Sequence, residues 1–345
     1  MSVQYAKDQP KGFTNSIERV AIVGATGNVG KHFAESLLKT GKHTVTAITR
    51  SGSKNPSDLP KGLKVAEVDY NDESSLVAAL KGQQFLVITM SVMAPPDTHE
   101  KLVVAAAKAG VPYVMPNAYG GDITNEKLNS EGMHGTSVKA HIGSIEKQGV
   151  SAWVAMCCSF WYEWSVSAGS SAYGFDIKEK TVTFYDEGTE KINTSTWEQC
   201  GRALAALLSL KELPEDESDK SPTLSQWKNK PFYVSSFLVS QRDILDSLHR
   251  VLGTTDADWK ISYENSGERY KGGIEAMQKG DRSGFVKAMY VRAFFPTGDG
   301  NFEAKHGTAN GVLGLPKEDL DEATKRAAEM ATGDFWSKIS YGPAK

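Results

Sequence analysis

A glycine-rich stretch near residue 24 has the residue types and spacing of a phosphate-binding turn. Gly24, Gly27 and Gly30 stand three residues apart in RVAIVGATGNVGKHFAESLL, after a β-branched run and before a helical pattern. The first glycine permits a sharp turn, the second removes a side chain where backbone meets a pyrophosphate, and the third lets the helix pack on the strand. Because the first amides of a helix lack intrahelical partners and carry partial positive charge, they can hold the anion. The pattern, which a ligand-free turn of another α/β protein could also carry, predicts a dinucleotide site that includes Gly24, Thr26, Gly27, Asn28, Val29 and Gly30.

The residues after the second predicted strand indicate which dinucleotide is preferred. NAD-binding proteins usually place an acid there on the ribose hydroxyls, but no Asp or Glu occurs between Glu35 and Asp58. The strand instead ends in ITRSGSK, which offers Arg50 and Lys54. Since both cations can pair with a 2′-phosphate, the sequence favours NADP (NADPH) over NAD; the alternative is that they are solvated loop charges.

Predicted strands and helices that alternate along the chain must position the candidate cofactor-binding residues. From residue 19 to about 156, short β-branched runs alternate with helical patterns at about 29–40, 73–80, 98–109 and 135–147, which predicts an α/β fold with a doubly wound parallel sheet of the Rossmann type. After Ser159, aromatic and turn residues predominate, with strands in TVTFYD and PFYVSS and helices near 197–210, 240–251 and 317–331. We predict a flexible leader at 1–18, an NADP-binding domain at 19–160, and a smaller substrate-binding lobe at 161–345 that interleaves with the sheet.

The composition and charge of the chain limit the kinds of molecule that we expect it to bind. The 345 residues are 40% hydrophobic and 23% charged, with a formal net charge of −3 and no long run of like charges. These values give no electrostatic footprint for nucleic acid or for a membrane surface, and no apolar run is long enough for a transmembrane helix, so we expect a small-molecule substrate. Three cysteines without metal-ligand spacing predict neither a disulfide framework nor a metal site, and they favour a reducing, cytoplasmic location. The oligomeric state stays open.

Several motifs together resemble the isoflavone reductase-like and NmrA-like branch of the atypical short-chain dehydrogenases. They are GATGNVGK, the basic TR after the second strand, VDYNDESSLVAAL, and VKAHIGSIEKQGVSAWVAM. The similarity is clear over residues 19 to about 165 and weaker through about 253. In plant members the fifth strand ends in Pro-Ser-Glu-Phe-Gly, whereas this chain has Pro116-Asn117-Ala118-Tyr119-Gly120.

The resemblance implies where a bound nucleotide would lie. It puts the nicotinamide across the strand ends near Asn117, Ala118 and Phe160, and Asp69 near the adenine. Thr89 and Ser91, after the fourth strand, would flank the pyrophosphate and ribose. The residue that matches the family's catalytic lysine is Lys139, while Gly135 stands where common short-chain dehydrogenases have the tyrosine of Tyr-x-x-x-Lys.

Lys139 and Tyr119 are the two candidate catalytic residues. Val138, Ile142 and Ile145 fall on one face of the predicted helix, with Lys139 on the shoulder of that stripe. A lysine beside an oxidised nicotinamide would have a lowered pKa, so it could exchange protons near neutrality and hold the ribose hydroxyls. Its alternative is a solvated charge with a buried stem. Tyr119 could donate a proton from the other side of the cleft, or it could be a packing aromatic.

An aromatic stretch, CCSFWYEW, follows the sixth strand. Its four rings could stack on a flat substrate beside the nicotinamide or could form a hydrophobic seam between the two lobes. Glu163 could orient an amine or be an exposed acid. His134 and His141 flank Lys139, which allows a proton relay, although the pattern favours surface or satisfied histidines. The candidate substrate-binding residues are Tyr119, Phe160, Trp161, Tyr162 and Trp164.

These features predict an NADPH-dependent reductase. Its expected substrate is a carbonyl, imine or conjugated alkene in a small, aromatic or secondary-metabolite compound, and reduction could be coupled to a ring closure. The rival hypothesis is an NmrA-like dinucleotide sensor that binds a protein partner without turnover. Lys139 and the aromatic stretch favour the enzyme, while the missing tyrosine keeps the sensor open.

Overall fold

A seven-stranded sheet, parallel throughout, forms the centre of the molecule. The computed structural model describes residues 4–52, 59–91, 94–133 and 135–339. The strand order is β11-β6-β5-β4-β1-β2-β3, so the chain runs outward from β1 in both directions. The strands are β1 Arg19–Val23, β2 Thr44–Arg50, β3 Lys64–Val68, β4 Phe85–Ile88, β5 Tyr113–Met115, β6 Ala152–Cys157 and β11 Lys230–Tyr233.

Helices cover both faces of this sheet, because successive strand residues point to opposite faces and both sets are apolar. In β1, Val20 and Ile22 belong to one hydrophobic cluster, and Ala21 and Val23 belong to another. On the first face α1 packs against α7; on the second, α3 packs against both α2 and α5. The helices are α1 Asn28–Lys39, α2 Glu73–Leu80, α3 Thr98–Ala109, α4 Glu126–Glu131, α5 Gly135–Gln148 and α7 Trp197–Leu208.

The remaining elements build the smaller lobe around a third cluster rich in aromatic residues. One small sheet has the order β12-β10-β7 and the other β13-β9-β8. The strands are β7 Phe160–Trp161, β8 Phe175–Asp176, β9 Thr181–Tyr185, β10 Ile192–Ser195, β12 Phe237–Val239 and β13 Lys260–Glu264. The helices are α6 Tyr162–Ser167, α8 Gln241–Leu252, α9 Ser266–Gln278, α10 Arg282–Ala293, α11 Phe302–His306 and α12 Leu320–Thr332.

The predicted fold class is confirmed. The helices expected at 73–80 and 98–109 begin and end at the expected residues, and the others shift by one to three residues at their ends. The chain returns once from the lobe to the main sheet, where α7 packs on α1 and β11 extends the sheet beside β6, before it re-enters the lobe at β12. The α9–α10 hairpin was not expected, because its repeated glycines and charges weaken the helical pattern.

The first residues differ from the expected loose leader. Ile17 is fully buried in the main core, and the Asn15 side-chain amide donates to the Leu213 carbonyl at 2.9 Å while its oxygen accepts from the Leu213 amide at 2.8 Å. The Ala6 amide also donates to the Pro214 carbonyl. Local sequence could not reveal this, because the partners lie about two hundred residues away.

Candidate active site

The glycine turn meets the end of β4 in contacts that exclude side chains. Gly24 has φ +81°, and a Cβ there would lie 1.9 Å from the Thr89 carbonyl oxygen. A Cβ on Gly30 would lie 2.1 Å from the Gly24 carbonyl oxygen, so the helix packs on the turn as expected. Thr89 Oγ1 donates to the Val23 carbonyl at 2.7 Å. The turn, the start of α1 and Thr89 therefore form one rigid unit.

The start of α1 leaves its first amides available to a ligand. Gly27 is the N-cap and supplies no side-chain hydrogen bond, and the Gly27 carbonyl accepts from the Lys31 amide at 3.0 Å. The amides of Asn28 to Gly30 thus precede the first intrahelical bond, while Thr26 and Gly27 are exposed to solvent. This backbone cradle fits an anionic phosphate group, in keeping with the sequence-based prediction.

The ends of β2 and β3 lie beside the glycine turn, at the same edge of the main sheet. Arg50 pairs in register with Val68, which immediately precedes Asp69, so Arg50 and Asp69 lie at adjacent strand ends. Both side chains are exposed, and Asp69 Oδ1 accepts from the Asn71 amide at 2.8 Å. Lys54, the second predicted cation, falls outside the described residues. The structure thus brings an arginine and an acid to the corner where the resemblance puts the adenosine half.

Asn117 joins the ends of β4 and β5. Its Oδ1 accepts from the Met90 amide at 3.1 Å, and its Nδ2 donates to the Met90 carbonyl at 3.3 Å. Ala118 beside it is buried, and Ser91 follows Met90 on the exposed side. The Asn117 side-chain amide therefore ties the ends of β4 and β5 together at the edge where the nicotinamide is predicted.

Lys139 lies on the solvent side of α5. Its Nζ is 3.0 Å from Glu126 Oε1, and both side chains are mostly exposed, at 65% and 81%. The residues of α5 that face inward are Ile142 and Ile145, which contact the second core cluster. In this arrangement Lys139 contacts α4 instead of the strand ends, so the predicted approach to the nicotinamide requires its side chain to change rotamer.

Two stacked histidines, His99 of α3 and His141 of α5, face Asn117. The rings of His99 and His141 lie 3.8 Å apart, His141 Nδ1 is 3.2 Å from the Asn117 carbonyl, and His99 Nε2 accepts from the Asn117 amide at 3.4 Å. Burial, with the neighbouring His141, lowers the pKa of His99 to about 3, and burial lowers the pKa of His141 as well. Both rings are neutral at pH 7, and they fix the Asn117 backbone. His134, the other candidate for a relay, falls outside the described residues.

Tyr119 is placed as a packing aromatic residue, the second of the two roles considered for it. Its hydroxyl donates to the Ile88 carbonyl at 3.1 Å, and its ring packs against Phe33 of α1 at 5.5 Å. Burial raises the pKa of Tyr119 well above its ordinary value. Its proton is therefore held by a backbone carbonyl at the end of β4.

The aromatic stretch divides between the two lobes. Phe160 stacks on Tyr290 at 4.2 Å, and the Ser159 amide before it donates to the Gly120 carbonyl, so Phe160 stays beside the end of β5. Trp161 packs against the main core, whereas Tyr162 is fully buried and bonds Thr324. Trp164 packs edge-on against Trp336 at 4.6 Å. Most of the stretch thus packs as a seam between the two lobes, and Phe160 lies beside the end of β5.

Glu163 is neither an exposed acid nor unpaired. It is 1% exposed, and its Oε1 accepts from Arg326 Nη2 at 3.0 Å. Burial raises the pKa of Glu163 to about 7, against the lowering effect of hydrogen bonds from its backbone and from Arg326.

Sequence reasoning missed a polar cluster beyond the end of β5. Asp122 is 2% exposed and accepts from Tyr233 Oη at 2.8 Å, from Thr124 Oγ1 at 2.6 Å, and contacts His306 Nε2 at 2.8 Å. Burial pushes the pKa of Asp122 upward, but the bonds from Thr124, His306 and Tyr233 outweigh it, so the pKa lies below its ordinary value. No sequence motif links these residues, since up to 184 positions separate them.

Two kinds of feature are absent from the described residues. They contain no group of three or more His, Cys, Asp or Glu side chains arranged to hold a metal ion. Nor does any of their helices have the length and apolar character needed to cross a bilayer. All three cysteines are buried free thiols.

Comparisons with known proteins agree with this geometry. Residues 24–144 match the model of a family described as NAD(P)H-binding, which spans the glycine turn, Thr89, Asn117 and Lys139. The chain is 27% identical to the oxidoreductase aprR of Aspergillus flavus over 88% of this chain and 96% of that protein. It is 29% identical to the NmrA-like family domain-containing oxidoreductase hkm9 of Aspergillus hancockii over 41% of this chain and 46% of that protein.

Solved structures share the fold. A structure from the group of pinoresinol-lariciresinol and phenylcoumaran benzylic ether reductases superposes with a TM-score of 0.70 at 18% identity, covering 90% of this chain and 99% of that one. The NADPH complex of the quinone oxidoreductase QOR2 of Escherichia coli gives a TM-score of 0.64 at 19% identity, covering 88% and 98%. The predicted cofactor class is confirmed as NAD(P)H. The matched domain, the aprR and hkm9 relatives and the shared fold support the predicted resemblance to isoflavone reductase-like and NmrA-like proteins.

Proposed function

We propose that the protein is an NADPH-dependent reductase that acts on a carbonyl, an imine or a conjugated alkene of a small, aromatic or secondary-metabolite substrate. The observation that carries the proposal is the contact of Gly24 and Gly30 with the end of β4, which leaves the first amides of α1 open to a pyrophosphate. A cytoplasmic location is part of the same proposal. The sensor hypothesis has less support, because the relatives named above are oxidoreductases.

NADPH is preferred to NADH because of Arg50. Its exposed guanidinium at the end of β2 can donate two parallel hydrogen bonds to a 2′-phosphate, and no carboxylate precedes it on that strand. Asp69 lies at the adjacent strand end, where it can accept from the adenine amino group without facing the phosphate.

Bound NADPH would supply the hydride, and the chain would supply the orientation and the proton. Asn117 holds the ends of β4 and β5 in a fixed relation, and Phe160 forms an apolar wall beside them. Lys139 is our proposed proton carrier. Its ion pair with Glu126 is exposed and is worth at most about 1 kcal/mol, so the ammonium can leave Glu126 at little cost. We assign Tyr119 a packing role, because its hydroxyl is engaged by Ile88.

The cofactor assignment is tested by binding. Arg50→Ala should weaken NADPH at least tenfold, the effect of losing a charge-assisted hydrogen bond of about 1.5–3 kcal/mol, and should leave NADH affinity unchanged. Lys42→Ala, which removes an exposed lysine after α1, is the matched control. Equal losses for both dinucleotides would contradict the role of Arg50.

Turnover is tested by NADPH oxidation with a panel of ketones, imines, enones and aryl ethers. Lys139→Met should lower kcat by about a hundredfold with a smaller effect on KM, as expected for loss of a proton carrier. Lys147→Met on the same helix and Glu126→Gln should keep the wild-type rate. Tight NADPH binding without oxidation of any compound, together with a co-purifying protein, would favour the sensor.

A further inference from the structure

A cavity lies between α1, α6, α7 and α12. Its volume is about 380 Å³, and residues of those helices and of the segment after α12 line it. That size is in the range of small-molecule sites. None of the residues assigned above to the cofactor lines it.

The cavity carries an excess of negative charge. Four carboxyl groups line it, from Glu163, Glu198, Glu329 and Asp334. The cations are Arg326 in the wall and Lys338, which pairs with Asp334 at 2.6 Å. Burial lowers the pKa of the lining His32, so this ring adds no charge near neutrality. Among the described residues, four carboxylates thus face two cations, which leaves two negative charges unbalanced when all are ionised.

Buried polar atoms in the wall lack partners. Oε1 of Glu163 accepts from Arg326, but Oε2 has no hydrogen-bond partner although the residue is 1% exposed. Oε2 of Glu198 is also buried, with Arg326 Nη2 at 3.8 Å as its ion-pair partner. A buried acceptor without a donor costs about 1–3 kcal/mol, so a ligand that donates to Glu163 recovers that free energy.

Aromatic rings also line the cavity. Trp197 lies 6.3 Å from Phe335, and His32 stacks on Trp197 at 6.1 Å. Aromatic faces attract a cation through their quadrupole and bury a flat apolar group. Carboxylates and aromatic rings in one cavity are the chemistry that recognises an organic ammonium.

We propose that this cavity binds a small organic ammonium ion with an aromatic body, its nitrogen donating to Glu163 and Glu198 and its ring packing on Trp197 and Phe335. The inference is independent of the proposed reduction, since it concerns other residues and needs no cofactor.

The test is calorimetric titration of the full chain with tryptamine and with tryptophol, without NADPH. Tryptophol keeps the indole and replaces the ammonium with a hydroxyl. We expect tryptamine to bind at least tenfold more tightly than tryptophol. Glu163→Gln should remove most of this difference, and Glu100→Gln on α3, which is exposed and distant in sequence from every lining residue, should leave it unchanged.

Three results would overturn the proposal. They are no binding of tryptamine at millimolar concentration, equal affinities for the two compounds, and an unchanged difference in folded Glu163→Gln protein. If Glu163→Gln does not fold, Glu198→Gln replaces it, because that side chain is 38% exposed and tolerates the change. A loss of tryptamine affinity of threefold or more in that variant supports the proposal, and a smaller loss contradicts it.

Discussion

Replacing Glu163 by glutamine should reveal how strongly the fold disfavours a charge at this position. The carboxyl is almost fully buried and burial raises its pKa from 4.5 to about 7. The folded protein therefore holds this proton more tightly than the unfolded chain does. A raised carboxyl pKa contributes stability that is fully present below pH 4.5 and is lost as the pH rises through 7. Glutamine has the same shape and stays neutral throughout.

The size of the effect follows from the two pKa values. Between pH 5 and pH 8 the linkage relation for one group gives a loss of about 2.5 kcal/mol in the free energy of unfolding. The variant lacks this loss, so its stability should rise by that amount relative to the wild type over the same interval. Other groups contribute to the pH dependence of both proteins, so only the difference is diagnostic. The charged or titratable groups around Glu163 are Arg326, Glu198, Glu329, Asp334 and His32.

Urea unfolding at half-unit intervals of pH, followed by tryptophan fluorescence, measures this difference. The steepest change should fall between pH 5 and pH 7, at about 1.4 kcal/mol per pH unit. Glu100→Gln, an exposed carboxyl on α3, should track the wild type at every pH. A difference between Glu163→Gln and the wild type that stays constant within about 0.5 kcal/mol from pH 5 to pH 8 would refute the reasoning.

Two further substitutions test the packing of the strand-end edge. Gly30→Ala puts a methyl group 2.1 Å from the Gly24 carbonyl oxygen and should destabilise the protein by about 3 kcal/mol or prevent folding. Gly143→Ala in α5, where no atom lies within 4 Å of the new methyl group, should stabilise the protein by about 0.5–1 kcal/mol. Thermal unfolding of both variants distinguishes steric crowding from helix propensity. Asp122→Asn should lower the free energy of unfolding at pH 7 by about 1–3 kcal/mol, since Tyr233 and Thr124 lose a charged acceptor. Because the folded pKa of Asp122 lies below 3.8, that loss should persist above pH 3.8 and shrink as the pH falls from there through the folded value. A loss that disappears already at pH 5 would contradict this.

Features encoded over a few residues could be predicted from the sequence. The turn at Gly24 and the boundaries of α2 and α3 depend on neighbouring residues, so the pattern alone located them. The parallel sheet followed from alternating periodicity, because strands buried on both faces read as continuous apolar runs.

Features that depend on distant partners could not be predicted. Glu163 meets Arg326 across 163 positions, and no local signal marks either as buried. The contact of Lys139 with Glu126 could not be predicted for a related reason: α4, which supplies Glu126, was not expected, and the helical stripe could not show that His141 would face Asn117. A helical wheel gives a residue's angle around its axis but not the neighbours that the tertiary fold puts there.

The place of β11 in the main sheet also bears on how a growing chain reaches the native state. Among the described residues it is an edge strand that pairs with β6, whose residues 154–157 pair with residues 230–233. During synthesis, more than seventy residues separate the end of β6 from the start of β11, so the outer edge of β6 stays unpaired until β11 has been made. An unpaired strand edge is a template for aggregation. We therefore expect chains truncated before residue 230 to depend on chaperones or to precipitate, although every residue of the glycine turn is already present.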